Sequence, residues 1–237
     1  VGPNGSGNSA EFSSVVERLE DRLVLTAFDY GDAPDSYGTL LSSNGARHDD
    51  AGAYLGANVD LENDGQPSLY AYGDDESDGF DSSSSLRGSG GGDSTSGSDD
   101  EDGITFLSPL LISGNGSTTA SVDVDLRNAD PTGSRLDAWL DLNGDGDFND
   151  ANEKVINSVN LGSTDGLKRV SFTIAQDLGA NVVEGTTYMR FRLSSSGGLA
   201  PTGYAANGEV EDYAVYLQYS GGEGHALDLP DGGGDYT

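Results

Sequence analysis

The densest oxygen-donor chemistry in the chain lies in one run, Asp141 to Glu153, DLNGDGDFNDANE. Asp141, Asn143 and Asp145 fall at positions 1, 3 and 5 of a calcium loop, and Gly146 stands where such a loop must turn sharply. Asp147 would offer its backbone carbonyl at position 7, and Asn149 a side chain or a bound water at position 9. Hard oxygen donors in this spacing suit calcium better than zinc or copper. The run departs from the EF-hand in two ways: the bidentate acid would be Glu153 at position 13 in place of 12, and strand-like rather than helical patterns flank it. A polar hairpin rich in Asp and Gly for turn reasons alone is the plainer alternative. Acceptors on alternate residues together with the glycine favour calcium.

A second run, Asp60 to Gly65 (DLENDG), again places Asp60, Glu62 and Asp64 on alternate residues. It lacks a following acid at loop spacing, so Asp74, Asp75 or the Asp100 to Asp102 group, Asp102 included, would have to complete a shell. A solvated acidic turn explains the same pattern equally well.

Signals for catalysis are thin. His48 and His225 stand far apart without an HExxH spacing, and neither a nucleophile elbow nor a Walker loop is present. With 41 acidic residues in the chain a glycosidase-like pair can always be found, so it carries no information. No catalytic residue is expected, and His48 reads as a surface or hydrogen-bonded side chain. The expectation is a protein that is not an enzyme.

The charge balance narrows the partners. Forty-one acidic residues against 11 basic ones give a formal charge of −30, which repels phosphate backbones and anionic lipid, so neither nucleic acid nor membrane insertion is expected. Self-repulsion at this level makes bound cations an economical aid to compaction. A halophilic coat would scatter its carboxylates. Here residues 60 to 102 hold 13 Asp or Glu and one basic residue, Arg87, so the acids cluster as ligand sets do. Cysteine is absent, which excludes disulfides and thiol redox chemistry. No apolar run approaches the ~20 residues that span a bilayer, and export would imply a leader already removed.

These residues need a scaffold, and the second half of the chain supplies strand patterns. Val122, Val124 and Leu126 alternate with Asp123 and Asp125, and similar runs cover Leu136 to Leu142, Val155 to Leu161, Arg169 to Ile174, Tyr188 to Leu193 and Tyr213 to Leu217. Turn formers such as Asn115-Gly116, Asp165-Gly166 and Asn207-Gly208 separate them, and one or two more strands are expected from residues 38 to 60 and 103 to 112. Trp139, on the run that enters the acidic loop, reads as a core anchor. Val1 to Ser14 is a polar tail, Val15 to Ala27 suits either an amphipathic helix or a short strand, and Ser82 to Gly97 reads as a flexible loop.

With these words in order, the chain resembles the GEVED domain family of bacterial surface and secreted proteins. The resemblance rests on DYGDAPDSYGT (Asp29 to Thr39), ARH (Ala46 to His48), DLENDGQP (Asp60 to Pro67), GDD (Gly73 to Asp75), DEDG (Asp100 to Gly103), AWLDLNGDGD (Ala138 to Asp147) and GEVEDY (Gly208 to Tyr213). It covers roughly residues 28 to 217 and implies an extracellular β-sandwich, usually one module of a large surface protein, without known catalytic activity. Glu209, Glu211 and Asp212 are the namesake acids. Alternation puts Glu209 and Glu211 on one sheet face, where they could complete a metal shell or pair with Arg190 and Arg192 across strands. Leu19 to Ala27, LEDRLVLTA, resembles the LEPR-type segment of planctomycete surface proteins.

The expected fold is therefore all-β, an antiparallel β-sandwich of Ig-like or jelly-roll-like type with long acidic calcium-binding loops. The expected organisation is a tail and assembly or sorting segment over 1–27, a sandwich over 28–218 and a Gly-rich tail over 219–237. The expected role is a calcium-binding, self-associating subunit of a cell surface or fibre, with other copies or other surface proteins as partners. A calcium-dependent adhesin or glycan-binding module is the alternative.

Overall fold

The computed structural model describes residue 2 and residues 27–73, 101–175 and 184–220. The assembly segment and LEPR-like stretch, Asp74 and Asp75, the Ser82 to Gly97 loop and the tail beyond residue 220 lie outside the described residues. Among the described residues twelve strands follow one another: β1 Asp29–Tyr30, β2 Arg47–His48, β3 Tyr54–Leu55, β4 Ile104–Phe106, β5 Leu110–Ile112, β6 Thr118–Arg127, β7 Ser134–Leu140, β8 Lys154–Gly162, β9 Gly166–Ile174, β10 Gly185–Ser194, β11 Tyr204–Ala205 and β12 Glu209–Tyr219. Each of the six long runs read from alternation is a strand, and the stretches 38–60 and 103–112 contribute two strands each.

Five strands form one sheet in the order β5-β12-β10-β7-β8, antiparallel except where β5 lies parallel to β12. The facing sheet is built on β6. Its one edge pairs with β9 in unbroken register from Thr118↔Ile174 to Leu126↔Gly166. Its other edge carries β3 and β4 end to end, opposite Leu126–Arg127 and Val122–Val124 respectively. The two short strands meet opposite Asp125, whose carbonyl accepts from Gly56 N–H and whose N–H donates to the Gly103 carbonyl. Side chains from both sheets, among them Leu55, Val122, Val124, Leu136, Phe191 and Val215, pack into one apolar core, which makes the pair a sandwich.

The five-stranded sheet is buried on its other face as well. Met189, Phe191 and Leu193 of β10 enter the sandwich core, whereas Tyr188, Arg190 and Arg192 point the opposite way and are buried there too. The cover is a strap made by β1, β2 and β11, which form a small sheet, with the 3-10 turns Asp35–Tyr37 and Leu41–Ser43. Tyr37 from this strap, Phe148 from the acidic loop, and Trp139 and Tyr188 from the sheet make a second apolar cluster. Trp139 is thus an anchor beneath the strap, and Lys154 Nζ sits 4.8 Å from its ring centroid.

The hairpin into β12 depends on Gly208. Its φ is +93°, and a Cβ there would stand 1.9 Å from the Leu193 carbonyl oxygen and 3.1 Å from Ser194 Cα, both backbone atoms that cannot swing aside. Gly208→Ala should therefore cost roughly 2–3 kcal/mol in urea unfolding. Gly114→Ala meets nothing within 4 Å and should stay within about 0.5 kcal/mol. Equal effects of the two would contradict this packing.

Candidate functional site: the acidic loop and the arginine clamp

The acidic loop leaves β7 and returns into β8, and both ends are pinned under cover. Asp141 N–H donates to the Tyr188 carbonyl at 3.1 Å, Thr187 Oγ1 donates to the Asp141 carbonyl at 2.8 Å, and Leu140 N–H donates to the Glu153 carbonyl at 2.9 Å. Asp141 and Glu153 are buried at 0% and 1% exposure, while Gly144, Asp145, Asn149 and Asp150 lie in solvent. The first and last acids of the run are therefore its floor.

Within the loop three successive alternate side chains accept from the backbone two residues on. Asn143 Oδ1 takes Asp145 N–H at 2.9 Å, Asp145 Oδ1 takes Asp147 N–H at 3.3 Å, and Asp147 Oδ1 takes Asn149 N–H at 2.7 Å. Asn143 Nδ2 donates to Asp145 Oδ2 at 3.1 Å and Asp150 Oδ2 at 2.5 Å. Asp141 accepts from Gly144 N–H at 2.6 Å, Gly146 N–H at 3.2 Å and the Tyr37 hydroxyl at 2.6 Å. Glu153 accepts from Leu142 N–H at 3.2 Å and Asp150 N–H at 3.0 Å. Among the described residues every donor to these two buried carboxylates is uncharged.

Burial pushes the Glu153 carboxyl up to about 7, against the pull of the Asp150 and Leu142 N–H groups and with a further push from Asp141 and Asp150. A carboxyl raised above its unfolded value of 4.5 lends stability that is full below that value and is lost as pH rises through about 7. In chelator, the stability of the wild type should thus fall relative to Glu153→Gln as pH goes from about 5 to about 8. Urea unfolding of both proteins at the two pH values measures it, and a gap that does not move with pH would contradict the burial of this group.

The second acidic run is arranged differently. Asp60 Oδ1 accepts from Leu61 N–H, Asp64 Oδ1 from Leu41 N–H at 2.6 Å and Gly65 N–H at 3.0 Å, and the Glu62 backbone bridges Phe28. Asp102 is at the β3–β4 junction, accepting from Ala57 N–H at 2.7 Å and Asn58 Nδ2 at 3.4 Å, with its pKa raised by burial and by Asp125. Among the described residues, no group of three or more His, Cys, Asp or Glu side chains converges closely enough to hold a metal ion in this arrangement. Asp141, Asp145 and Glu153 are therefore not gathered around one point in this arrangement, and an ion would have to draw them together.

The namesake acids divide between the two faces of β12. Arg190 pairs with Asp212 in register and Arg192 with Val210, so Glu209 and Glu211 face away from both arginines, and pairing with them is excluded. Glu209 Oε2 accepts from Leu55 N–H, and Glu211 accepts from Gly103 N–H at 2.8 Å and the Tyr213 hydroxyl at 3.1 Å. They satisfy backbone donors where β3 and β4 meet end to end.

Asp212 is the arginine partner. Arg190 holds it with two bonds of 2.7 Å, Asp212 also accepts from Ala33 N–H at 2.8 Å, and both side chains are buried. The Arg190 guanidinium reaches the carbonyls of Tyr37, Gly38 and Pro201 at 2.9–3.0 Å. Arg192 likewise holds the carbonyls of Ala200, Thr202 and Gly203 at 2.7–3.0 Å. Its Nε donates to His48 Nε2 at 3.0 Å, which makes that nitrogen the acceptor, so Nδ1 carries the proton toward the Asn207 carbonyl at 2.9 Å. Burial and then Arg192 push His48 well below its usual pKa, and His48 is a neutral, fully engaged core residue.

Residues 135–216 match the GEVED domain family. The GEVED match opens in β7 and closes within β12, so it holds the acidic loop, both clamp arginines and the namesake acids, and leaves out β1 to β6. Of the strap, β1, β2 and the two 3-10 turns lie outside the matched stretch, whereas β11 and the Ala200, Pro201, Thr202 and Gly203 carbonyls that the arginines hold lie within it. The LEPR-type likeness at Leu19 to Ala27 finds no support in the comparisons. Seven chains of solved structure match. One is the CARDB domain of a Pyrococcus furiosus protein, solved in complex with di-metal ions, at 13% identity over 49% of this chain and 89% of that one. Its TM-score of 0.29 is too low to carry an argument about fold or metal. No curated protein matches.

Proposed function

We propose that this protein is a non-catalytic, extracellular structural module whose acidic loop binds calcium, and that it is a self-associating subunit of a cell surface or fibre. The observation that carries the calcium reading is the pair Asp141 and Glu153, two carboxylates buried at the floor of one loop and served, among the described residues, only by uncharged donors. Buried carboxylates without a counter-charge favour a bound cation. A ligand set of Asp141, Asn143, Asp145, the Asp147 carbonyl, Asn149 and Glu153 is all oxygen, as calcium prefers. On binding, Asp145 and Glu153 would exchange backbone N–H bonds for the ion. The Tyr37 hydroxyl on Asp141 links this loop to the strap, so an ion there stiffens more than the loop.

For self-association the favourable edge is β9. It pairs with β6 alone among the described strands, over nine residues of regular register. The other long edge, β8, is broken by register shifts and by Ser158 at φ +51°, devices that discourage strand addition. The segment Val15 to Leu25 of a neighbouring copy is the proposed added strand. Light scattering of the full chain and of a variant lacking residues 15–25, both in calcium, tests this: only the full chain should form large particles. Equal assembly by both would refute the strand-addition reading.

A further inference from the structure

A cleft of about 220 Å³ opens between the 3-10 turn Asp35–Tyr37, the arm of the acidic loop at Asp147–Asn149, and Pro201–Thr202. Its two carboxylates are held from behind. Asp35 Oδ1 accepts from the Ser43 hydroxyl, Leu40 N–H at 2.9 Å and Thr39 N–H at 3.4 Å, and Asp147 Oδ1 accepts from Asn149 N–H at 2.7 Å. The hydrogen bonds of the described residues leave Oδ2 of both acids unused. The rings of Tyr37 and Phe148, 4.8 Å apart and themselves buried, close the floor of the cleft.

This lining selects by chemistry. An anion would meet two carboxylates, and the nearby guanidinium of Arg190 is wholly buried and committed to Asp212 and three carbonyls. An apolar ligand would strip water from carboxylates and hydroxyls without replacing it. A single ion would leave most of the space to water. A neutral pyranose ring meets each demand, since its hydroxyls donate charge-assisted bonds to the carboxylate oxygens and accept from the hydroxyls and N–H groups around them. We infer that the cleft is a monosaccharide-binding site for one neutral pyranose unit of a glycan. The site goes beyond the structural role proposed above, and it stands without calcium: an ion in the loop would take the Asp147 carbonyl and leave that carboxylate facing the sugar.

The test is a titration of the ¹⁵N-labelled full chain with the methyl glycosides of glucose, galactose and mannose, in calcium and in chelator. At least one glycoside should shift the amide signals of Ser36, Phe148 and Asn149 saturably, with millimolar affinity. Asp147→Asn, whose amide oxygen can still accept the Asn149 N–H, should weaken that binding at least about tenfold, and Asp35→Asn should do the same. The inference is overturned if no glycoside moves these signals, if n-butylammonium chloride moves them and no glycoside does, or if both variants bind as the wild type does. Loss of calcium binding with sugar binding intact would count against the loop proposal alone.

Discussion

Arg190→Ala should lower the stability of the protein by at least ~3–5 kcal/mol, the usual cost of removing one partner from a buried ion pair. The guanidinium is wholly buried and makes five bonds of 3.0 Å or less, two to Asp212 on the neighbouring strand of its own sheet and three to the covering carbonyls of Tyr37, Gly38 and Pro201. Its removal leaves Asp212 charged under cover with Ala33 N–H as its remaining donor, and it strands three carbonyls. Small domains have about 5–15 kcal/mol in hand, so the variant should be largely unfolded or lose its strap at ambient temperature. Arg190→Lys should rescue little, because a point charge cannot reproduce a planar fork that serves four groups at once. Urea unfolding followed by tryptophan fluorescence reads both events, since Trp139 lies under the strap. A loss below about 1 kcal/mol would show that the clamp is not what holds the strap.

Asp141→Ala comes next in size. It removes an acceptor used by Gly144 N–H, Gly146 N–H and the buried Tyr37 hydroxyl, and it deletes position 1 of the calcium set. The unsatisfied donors alone should cost about 2–4 kcal/mol in chelator, and the stabilisation gained from calcium should vanish. Asp141→Asn separates the two effects. Its amide oxygen can still accept from Tyr37 while the charge is gone, so it should stay folded in chelator and fail to respond to calcium. Asp141→Asn that responds to calcium as the wild type does would move the ion elsewhere.

The long strands of the second half were legible because Val122-Asp123-Val124-Asp125-Leu126 and its counterparts alternate as half-buried strands do. The same rule misleads on β10. Arg190 and Arg192 alternate with apolar residues and read as a wet face, yet the strap buries them, and the strap comes from short turn-rich words with no period of their own. An arginine pair set between core residues, with Asp212 opposite, was the available signal. The faces of Glu209 and Glu211 followed from alternation, but their partners did not. Two strands of two and three residues meeting end to end leave the donors at Leu55 and Gly103 that these acids serve, and nothing local in the sequence specifies that junction. Tyr37 escaped for a similar reason: its hydroxyl meets Asp141 across 104 residues. The loop itself was read from spacing alone. What the spacing could not say is that its first and last acids are buried.

The central claim is that calcium in the Asp141 to Glu153 loop is part of the fold, and thermal unfolding of the wild type in calcium, in chelator and in chelator with magnesium tests it most directly. Calcium at about a thousandfold over its dissociation constant should stabilise the native state by about 4 kcal/mol, a shift of several degrees in the midpoint, and magnesium should restore little of it. A midpoint that is the same in calcium and in chelator would contradict the claim and leave the sandwich to its apolar core and its arginine clamp.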